Sequence, residues 1–307
     1  MYFPYLRGRQ FELLAIRELI EHNCISNNII PIIEPVRASS TLLKTIIQCK
    51  EAKQHIAFII NPHVGSFSKE FREFEKSNEL LTAIKDSTIK ACVVDQTIND
   101  QVNRLTKIFN SSIEDSLFVF DKKDYIESYL LAINNSHAKF NLIPDERDFR
   151  RSIRDNRVLL SDAFDSKDRN SDYSDAPELY SRDQIYYKED GYIGFADYSI
   201  VGNRFSEAGF APYCLVIHIV YFDEKNQLLI RHFKSSSNED ATDPANKFRE
   251  ALQKLLLWNE KQKLDTYAMR QFKKMYEDGA YPGLGTIKKL SLMHHIELVN
   301  KFLNEPL

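Results

Sequence analysis

The feature that most constrains the fold is a repeated pattern in which a short apolar run ends in polar residues and a helical pattern follows. The first copy is an apolar run over residues 1–6, the turn Arg7-Gly8-Arg9 and a helical stripe that begins at Phe11. Later copies recur at intervals of roughly 20 to 35 residues, as strands joined by helical crossovers do. Their apolar runs cover residues 29–33, 55–60, 89–94, 116–120, 139–143, 157–161 and 192–196.

This alternation predicts the fold class. Eight parallel strands within about 200 residues are typical of a closed (β/α)8 barrel, which forms as a single domain. An open doubly wound sheet is the alternative, but such a sheet usually begins with a glycine-rich loop, and Arg7-Gly8-Arg9 lacks the G-x-G-x-x-G spacing. We therefore predict a TIM-barrel-like core over residues 1–200.

Residues 201–307 have a different pattern. Two β-rich runs, at residues 213–221 and 227–233, flank Asp223-Glu224-Lys225-Asn226, which predicts a hairpin. Three helical stretches follow, at residues 247–263, 265–277 and 286–303. We expect the hairpin and these helices to pack on the barrel or to complete it.

The composition fits a globular protein and limits its partners. With 307 residues, 43% of them hydrophobic, the chain can bury a full core. The net charge of -3 gives no general signal for binding nucleic acid or a membrane surface, and the arginines of residues 147–157 are interpreted as a solvated helix face. No apolar run approaches the roughly 20 residues of a membrane helix. The four cysteines are far apart, which argues against disulfides or a zinc site, and we expect a cytoplasmic protein.

Every predicted strand ends in a polar residue. In a barrel the C-terminal ends of the strands lie on one face, where the following loops build the site. We therefore predict that these side chains surround a single mouth, although capping of the next helix or turn is the competing explanation for each acid alone. The residues are Arg7, Glu34, Asn61, His63, Asp95, Asp121, Lys122, Asp145, Glu146, Asp162 and Asp197.

Several carboxylates on one rim would repel each other, because like charges about 4 to 6 Å apart raise each other's pKa. Three arrangements would relieve the repulsion, and the residues alone leave all three open. One is a divalent cation, Mg²⁺ or Mn²⁺, bound by Glu34, Asp95, Asp162 and Asp197. Another is a set of salt bridges to Arg7, Arg9 and Lys122. The last is a proton held for catalysis, with Glu34, His63, Asp162 and Asp197 as candidate acids and bases.

Binding residues are predicted at the same rim and in the loop that follows the seventh strand. The guanidinium of Arg7 could grip a phosphate or could neutralise Glu34 in a structural pair. Residues 165–190 show no clear period, so we predict an extended loop that serves as a lid. Its acids only superficially match a calcium loop, since the required Gly and final Glu are missing. The predicted binding set is Arg7, Arg9, Asn61, Lys122, Arg169, Asn170, Tyr173 and Tyr198.

Four histidines lie late in the chain. His218 and His232 fall on predicted strands, where a histidine is usually satisfied within the sheet. His294 and His295 are adjacent on a predicted helix, so their side chains point in different directions. Metal binding by this pair is not expected, because the H-x-x-x-H spacing is absent.

Short motifs along most of the chain resemble those of bacterial proteins grouped with the phage "beta family". They are Tyr5-Leu6-Arg7-Gly8-Arg9-Gln10-Phe11-Glu12, Ile33-Glu34-Pro35, Arg169-Asn170-Ser171-Asp172-Tyr173, Phe195-Ala196-Asp197-Tyr198, Phe210-Ala211-Pro212-Tyr213 and Met293-His294-His295. Proteins of this kind occur in phages and mobile elements, sometimes beside a small nuclease-like gene. The resemblance implies a role in conflict or antiviral defence, with a neighbour-encoded nuclease-like protein as partner.

Two functions follow as hypotheses. The first is a hydrolase, metal-assisted or acid–base, that acts on a phosphate-bearing substrate at the mouth. The second is a non-catalytic module that recognises a protein partner or a phage component through the hairpin and the tyrosine-rich residues 173–198. Direct strong binding of nucleic acid is not expected, because the whole chain is slightly negative.

Overall fold

The computed structural model describes residues 1–206 and 212–304. The motif residues Phe210 and Ala211 therefore lie outside the described residues. The strands are β1 (Tyr2–Leu6), β2 (Ile32–Ile33), β3 (Ala57–Ile59), β4 (Ile89–Val93), β5 (Leu117–Val119), β6 (Phe140–Ile143), β7 (Arg157–Ser161), β8 (Glu178–Ser181), β9 (Gly194–Asp197), β10 (Val216–Phe222) and β11 (Leu228–Lys234).

Eight of these strands close into a parallel barrel in the order β1-β2-β3-β4-β5-β6-β7-β9, and β9 pairs with β1 to complete the circle. The predicted (β/α)8 fold is confirmed. The α-helices of the first 200 residues are α1 (Gln10–Glu21), α2 (Ser40–Glu51), α3 (Phe67–Glu70), α4 (Ser77–Ser87), α5 (Ile98–Lys107), α6 (Ile126–Ile133), α7 (Arg147–Ser152) and α8 (Asp183–Tyr186).

The barrel strands are mainly apolar because both of their faces are buried, with Lys90, Asn141 and Arg157 among the exceptions. Successive side chains of a strand point to opposite faces, so alternate residues fill the barrel interior while the others pack against the helices. In β1, Phe3 and Tyr5 belong to the interior cluster, whereas Tyr2 and Leu6 belong to the outer core. This alternation decides which polar residues at the strand ends point into the mouth.

A second sheet of three strands has the order β10-β11-β8 and is antiparallel. The hairpin predicted around residues 223–226 is confirmed, because β10 and β11 pair directly across it. The extended loop predicted over residues 165–190 is wrong in part, since it contains β8 and α8. Strand β8 is short, and its pairing partner β11 comes late in the chain, so no local pattern marks it.

Three helices end the described chain: α9 (Pro244–Gln262), α10 (Tyr267–Asp278) and α11 (Leu284–Asn304). They occupy the three stretches predicted as helical. Helix α11 packs against α1, α10 and β10, so it joins the hairpin region to the barrel. Within the described ranges, no helix is long and apolar enough to cross a membrane.

Candidate functional site

The mouth of the barrel is lined by the polar residues that continue the inward-facing alternation of each strand. Because every second side chain points inward, the residue two positions after an inward-facing apolar side chain reaches the mouth. Arg7, Glu34, Asn61, Asp95, Asp121 and Asp162 follow in this way Tyr5, Ile32, Ile59, Val93, Val119 and Leu160 of the interior cluster. Tyr198 itself belongs to that cluster.

Glu34 is the centre of the polar network, and it is almost fully buried. Its Oε2 accepts a hydrogen bond from the Tyr5 hydroxyl at 2.8 Å and forms an ion pair with Arg7. Its Oε1 accepts from the backbone N–H of His63 at 2.8 Å. A buried ion pair is sustained only when further hydrogen bonds satisfy its polar atoms. The sequence left open whether Arg7 binds a phosphate or neutralises Glu34, and the structure shows the ion pair with Glu34.

The Arg7 guanidinium is held on several sides. It lies over the rings of Tyr5 and Tyr198, at 5.2 and 5.3 Å from their centroids. Its Nη2 donates to the backbone oxygen and the side-chain oxygen of Asn203, at 2.7 and 2.6 Å. Burial alone would lower the pKa of Arg7, but Glu34 outweighs it and the pKa is raised. The buried Nε has no hydrogen-bond partner within the described ranges, so one donor of Arg7 is free.

Tyr198 lies among the charged groups of the mouth. Burial raises the pKa of its hydroxyl; Arg7 opposes that shift, and the nearby carboxylates of Glu34, Asp162 and Asp121 add to it. The hydroxyl therefore stays protonated. No described group forms a hydrogen bond with it, so Tyr198 presents a second free donor to the mouth.

His63 and Asp95 form a hydrogen-bonded pair at the rim. The Nε2 of His63 lies 2.8 Å from Oδ2 of Asp95, and the two side chains are 42% and 21% exposed. Burial alone would raise the pKa of Asp95, but hydrogen bonds from Thr97 and His63 outweigh it and hold the pKa below its ordinary value. Since Asp95 fixes Nε2, the other ring nitrogen of His63, Nδ1, is left open to solvent or a ligand.

Asp162 closes the network on the other side of the mouth. Both of its carboxylate oxygens accept from the backbone N–H of Asn203, each at 3.2 Å. Its side chain is exposed at the surface, yet desolvation by the surrounding protein raises the pKa of Asp162, and the hydrogen bond from Asn203 opposes that shift. Polar contacts therefore run from Asp162 through Asn203, Arg7 and Glu34 to His63, and on to Asp95.

Asp197 does not lie on this rim, contrary to the sequence-based prediction. Its neighbours Ala196 and Tyr198 face the barrel interior, so Asp197 points outward, towards α11. Its Oδ1 accepts from the Tyr2 hydroxyl at 2.7 Å and from the backbone N–H of Ser199 at 2.8 Å. Burial raises its pKa to about 6. Asp197 therefore belongs to the packing between barrel and helix.

The four predicted metal ligands do not converge. Among the residues that the structure describes, no group of three or more His, Cys, Asp or Glu side chains is arranged to hold a metal ion. Glu34 is occupied by Tyr5, Arg7 and His63, and Asp95 by His63 and Thr97. Asp197 faces the opposite side of its strand. A shared Mg²⁺ or Mn²⁺ therefore does not fit Glu34, Asp95, Asp162 and Asp197 in this arrangement.

The remaining rim residues have separate roles. The Asn61 amide replaces a strand pairing: it donates to the backbone oxygen of Val93 and accepts from the Val93 N–H, both at 2.9 Å. Arg9 lies over the Phe205 ring at 4.8 Å. Lys122 is exposed at the end of β5, and Asp145 and Glu146 are exposed after β6. Arg9 and Lys122 therefore supply positive charge at the edge of the mouth.

The predicted binding residues of the loop after β7 mainly stabilise the second sheet. Asn170 donates to the backbone oxygen of Cys214 at 2.7 Å. Tyr173 is buried, and its ring lies 4.7 Å from that of His218 and 4.5 Å from that of His232. Arg169 is exposed. The structure does not bring these residues together with the His63–Asp95 pair.

Two residues of the network were missed by sequence reasoning. Tyr5 carries a usable signal, because it precedes Arg7 by two positions and so shares its inward direction. Asn203 carries none, since it follows the eighth barrel strand within an irregular segment.

Two surface cavities lie away from the mouth. One, of about 160 Å³, lies between α9 and α10 and is lined by Phe248, Tyr276 and Tyr281. Another, of about 330 Å³, is lined by His22 after α1, by Arg270 of α10 and by residues of α11 that include Glu297 and Lys301. Among the described residues that line them, neither cavity contains a carboxylate hydrogen-bonded to an imidazole, so we place the candidate site at the mouth on its chemistry rather than on cavity size.

Comparison with protein-family models, curated proteins and solved structures found no match to this chain. The relation to the phage "beta family", and the nuclease-like partner that it implies, therefore remain predictions from the sequence motifs.

Proposed function

We propose that this protein is an acid–base hydrolase whose reaction takes place at the barrel mouth. The observation that carries the proposal is the His63–Asp95 pair, in which a carboxylate fixes one imidazole nitrogen while the other stays open at an exposed rim. A base oriented in this way by a third group is the usual arrangement for proton transfer in enzymes. Glu34 supports it, because its carboxylate binds the backbone N–H of His63.

The charges and the tyrosine hydroxyl of the mouth favour a phosphate-bearing substrate. The hydroxyl of Tyr198 would donate to a phosphoryl oxygen, the guanidinium of Arg7 would supply positive charge beside it, and Arg9 and Lys122 would attract the anion. The carboxylates of Asp121 and Asp162 lie near Tyr198, so they would repel a dianion more than a monoanion. The substrate class is therefore a phosphodiester, with one negative charge, in preference to a phosphomonoester.

In the proposed reaction, His63 takes a proton from water at Nδ1 as the water oxygen attacks phosphorus. The bond between phosphorus and the leaving oxygen breaks, and the leaving alkoxide takes the proton from His63. The products are a phosphomonoester and an alcohol. Asp95 stabilises the imidazolium between these steps, as a carboxylate does in a catalytic triad.

The test compares the variants His63→Gln and His55→Gln. The glutamine amide that replaces the His63 ring keeps a hydrogen bond to Asp95 but cannot transfer a proton. His55 is exposed just before β3, at the opposite end of the barrel from the mouth, and serves as the matched control. Hydrolysis of bis(p-nitrophenyl) phosphate and p-nitrophenyl phosphate would be followed with Mg²⁺, with Mn²⁺ and with EDTA.

We expect His63→Gln to lower kcat by about 10² to 10⁴, the usual contribution of general acid–base catalysis. His55→Gln should leave the rate unchanged, and both variants should unfold at the temperature of the wild type. Equal loss in both variants, or none in either, would exclude His63 as the proton-transferring group. Faster hydrolysis of the monoester than of the diester would overturn the substrate class.

A second candidate function, recognition of a protein partner, is favoured by apolar side chains exposed around the second sheet. Leu179 on β8 is 50% exposed and Tyr213, before β10, is 61% exposed. The partner would be the nuclease-like product of a neighbouring gene. On co-expression, Leu179→Lys should break the complex in size-exclusion chromatography, whereas Leu257→Lys, on α9 and 57% exposed, should not. A complex that survives Leu179→Lys would rule this surface out.

A further inference from the structure

Outside the mouth, the second sheet contains a hydrogen-bonded chain of three side chains. His218 on β10 is directly opposite His232 on β11, and their Nδ1 atoms are 2.7 Å apart. The Nε2 of His232 lies 3.0 Å from Oε2 of Glu178, on the neighbouring strand β8. The sheet therefore arranges a carboxylate and two imidazoles in a line that ends at the Nε2 of His218.

The Glu178 carboxylate determines which nitrogen atoms of the two histidines donate hydrogen bonds. A carboxylate only accepts hydrogen bonds, so the Nε2 of His232 must carry a proton towards Glu178. In the neutral ring, the Nδ1 of His232 is then a lone pair, and the Nδ1 of His218 must donate to it. A neutral His218 that is protonated on Nδ1 has a bare lone pair on Nε2. This tautomer follows from the hydrogen-bond network as a whole.

The surroundings of His218 favour the neutral ring. Burial lowers its pKa well below the ordinary value, and His232 and Lys288 lower it further. Its ring meets the rings of Phe164 and Tyr173 edge-on, at 5.1 and 4.7 Å. No described residue donates a hydrogen bond to Nε2, and the side chain remains partly exposed. The Nε2 atom is therefore an oriented acceptor without a donor among these residues.

Phe164 connects this acceptor with the mouth. Its ring contacts that of His218, and a Cβ at Gly202 would lie 3.4 Å from the same ring. The same position would be 3.7 Å from Oδ1 of Asp162. The Phe164 ring thus lies beside both His218 and the segment that binds Asp162 and Arg7.

We propose that the Glu178–His232–His218 chain is a binding site for a hydrogen-bond donor, an O–H or N–H group of a ligand that reaches the edge of the mouth. A phosphate or carboxylate does not fit there, because its lone pairs would face the lone pair of Nε2. The part of the proposal that concerns the substrate rests on the proposed function: the ligand is then a phosphodiester that carries a hydroxyl or amino group on one arm.

Long-range ¹H–¹⁵N correlation spectra of the imidazole rings test the tautomer directly in the full chain. We expect the Nε2 of His218 to give the signal of an unprotonated nitrogen and its Nδ1 that of a protonated one. In Glu178→Ala, His232 is no longer fixed, so the two His218 signals should move towards an average. Glu224→Ala, at an exposed acid in the turn of the same hairpin, should leave both signals in place. A protonated Nε2 in the wild type would overturn the proposal.

Calorimetric titration then tests the ligand class. Methyl ω-aminoalkyl phosphodiesters would be compared with methyl alkyl phosphodiesters of equal length, on the wild type and on His218→Gln. We expect the variant to lose about tenfold in affinity for the amino probes only, as for one hydrogen bond to a charged group. An equal loss for both probes contradicts the donor site. If neither probe binds the wild type, the phosphodiester class fails, while the spectra still decide the tautomer.

Discussion

Replacing Asp197 by Asn should stabilise the protein at neutral pH, although the Asp197 carboxylate accepts two hydrogen bonds in the folded protein. The carboxyl group is buried between β9 and α11 and is only 4% exposed. The Asn oxygen can still accept from the Tyr2 hydroxyl and the Ser199 N–H. The new NH₂ group would face His295, whose Nε2 lies 3.9 Å from Oδ2. That nitrogen lacks a hydrogen-bond partner among the described residues.

The magnitude follows from the pKa of Asp197. Burial raises this pKa from 3.8 to about 6. A folded-state pKa above the unfolded one means that the stabilising form is the protonated acid. The contribution of the protonated Asp197 carboxyl to folding stability is fully present below about pH 4, and it is lost as the pH rises through 6. A pKa difference of one corresponds to about 1.4 kcal/mol, so at pH 7 the ionised group costs the folded state about 3 kcal/mol. Asn carries no such cost.

Urea-induced unfolding at a series of pH values between 4 and 7 measures the difference. We expect Asp197→Asn to be more stable than the wild type by about 1 to 3 kcal/mol at pH 7, and we expect the gain to shrink towards zero near pH 4. Asp124→Asn, at an exposed acid, should change stability by less than about 0.5 kcal/mol at every pH. A destabilised Asp197→Asn at pH 7, or a gain that does not depend on pH, would refute the reasoning.

Three further variants test the packing around the site. Burial lowers the pKa of His295 from 6.5 to about 3. The neutral ring therefore contributes to the free energy of unfolding above pH 6.5, and this contribution is lost as the pH falls towards 3. His295→Gln should reduce the loss of stability on the acid side, as measured by urea titrations at several pH values. Glu34→Ala leaves Arg7 buried without its partner and should cost about 3 to 5 kcal/mol in chemical denaturation, whereas the double variant Glu34→Leu with Arg7→Met should recover most of that loss. Gly65 has a φ of +72°, and a Cβ there would lie 2.4 Å from the Val36 backbone oxygen, so Gly65→Ala should lower Tm by several degrees in calorimetry.

The barrel was predictable because its physical cause is local. The barrel strands are mainly apolar on both faces, and most are followed by a helical stripe, so the repeat is visible without knowledge of the pairing. Strand β8 was not predictable, because its apolar contacts depend on β11, which comes about 50 residues later in the chain. The same long-range dependence hid Asn203, whose role exists only once β1 and β9 are neighbours.

The sequence located the site at the strand ends, but it did not decide which of two adjacent residues at a strand end faces the mouth. Asp197 and Tyr198 are adjacent, and a shift of one position exchanges the two faces of a strand. Counting from the inward-facing Ala196 places Tyr198 in the mouth and Asp197 against α11. The sequence also left open whether Arg7 binds a ligand anion or pairs with Glu34, because the choice depends on the distance between the two strand ends. The pair forms because Gly8, with a φ of +61°, allows a tight turn beside the Glu34 backbone.

The central claim is that Tyr198 and the positive charge of Arg7 at the mouth bind the phosphoryl group of a diester. Titration of the ¹⁵N-labelled protein with dimethyl phosphate, followed through the Nε–H signals of the arginines, tests this most directly. The account predicts that the Arg7 signal shifts and saturates, together with the ring signals of His63, while those of the exposed arginines in residues 147–154 stay in place. An Arg7 signal that moves no more than those of the exposed arginines, or that does not move at all, would contradict it.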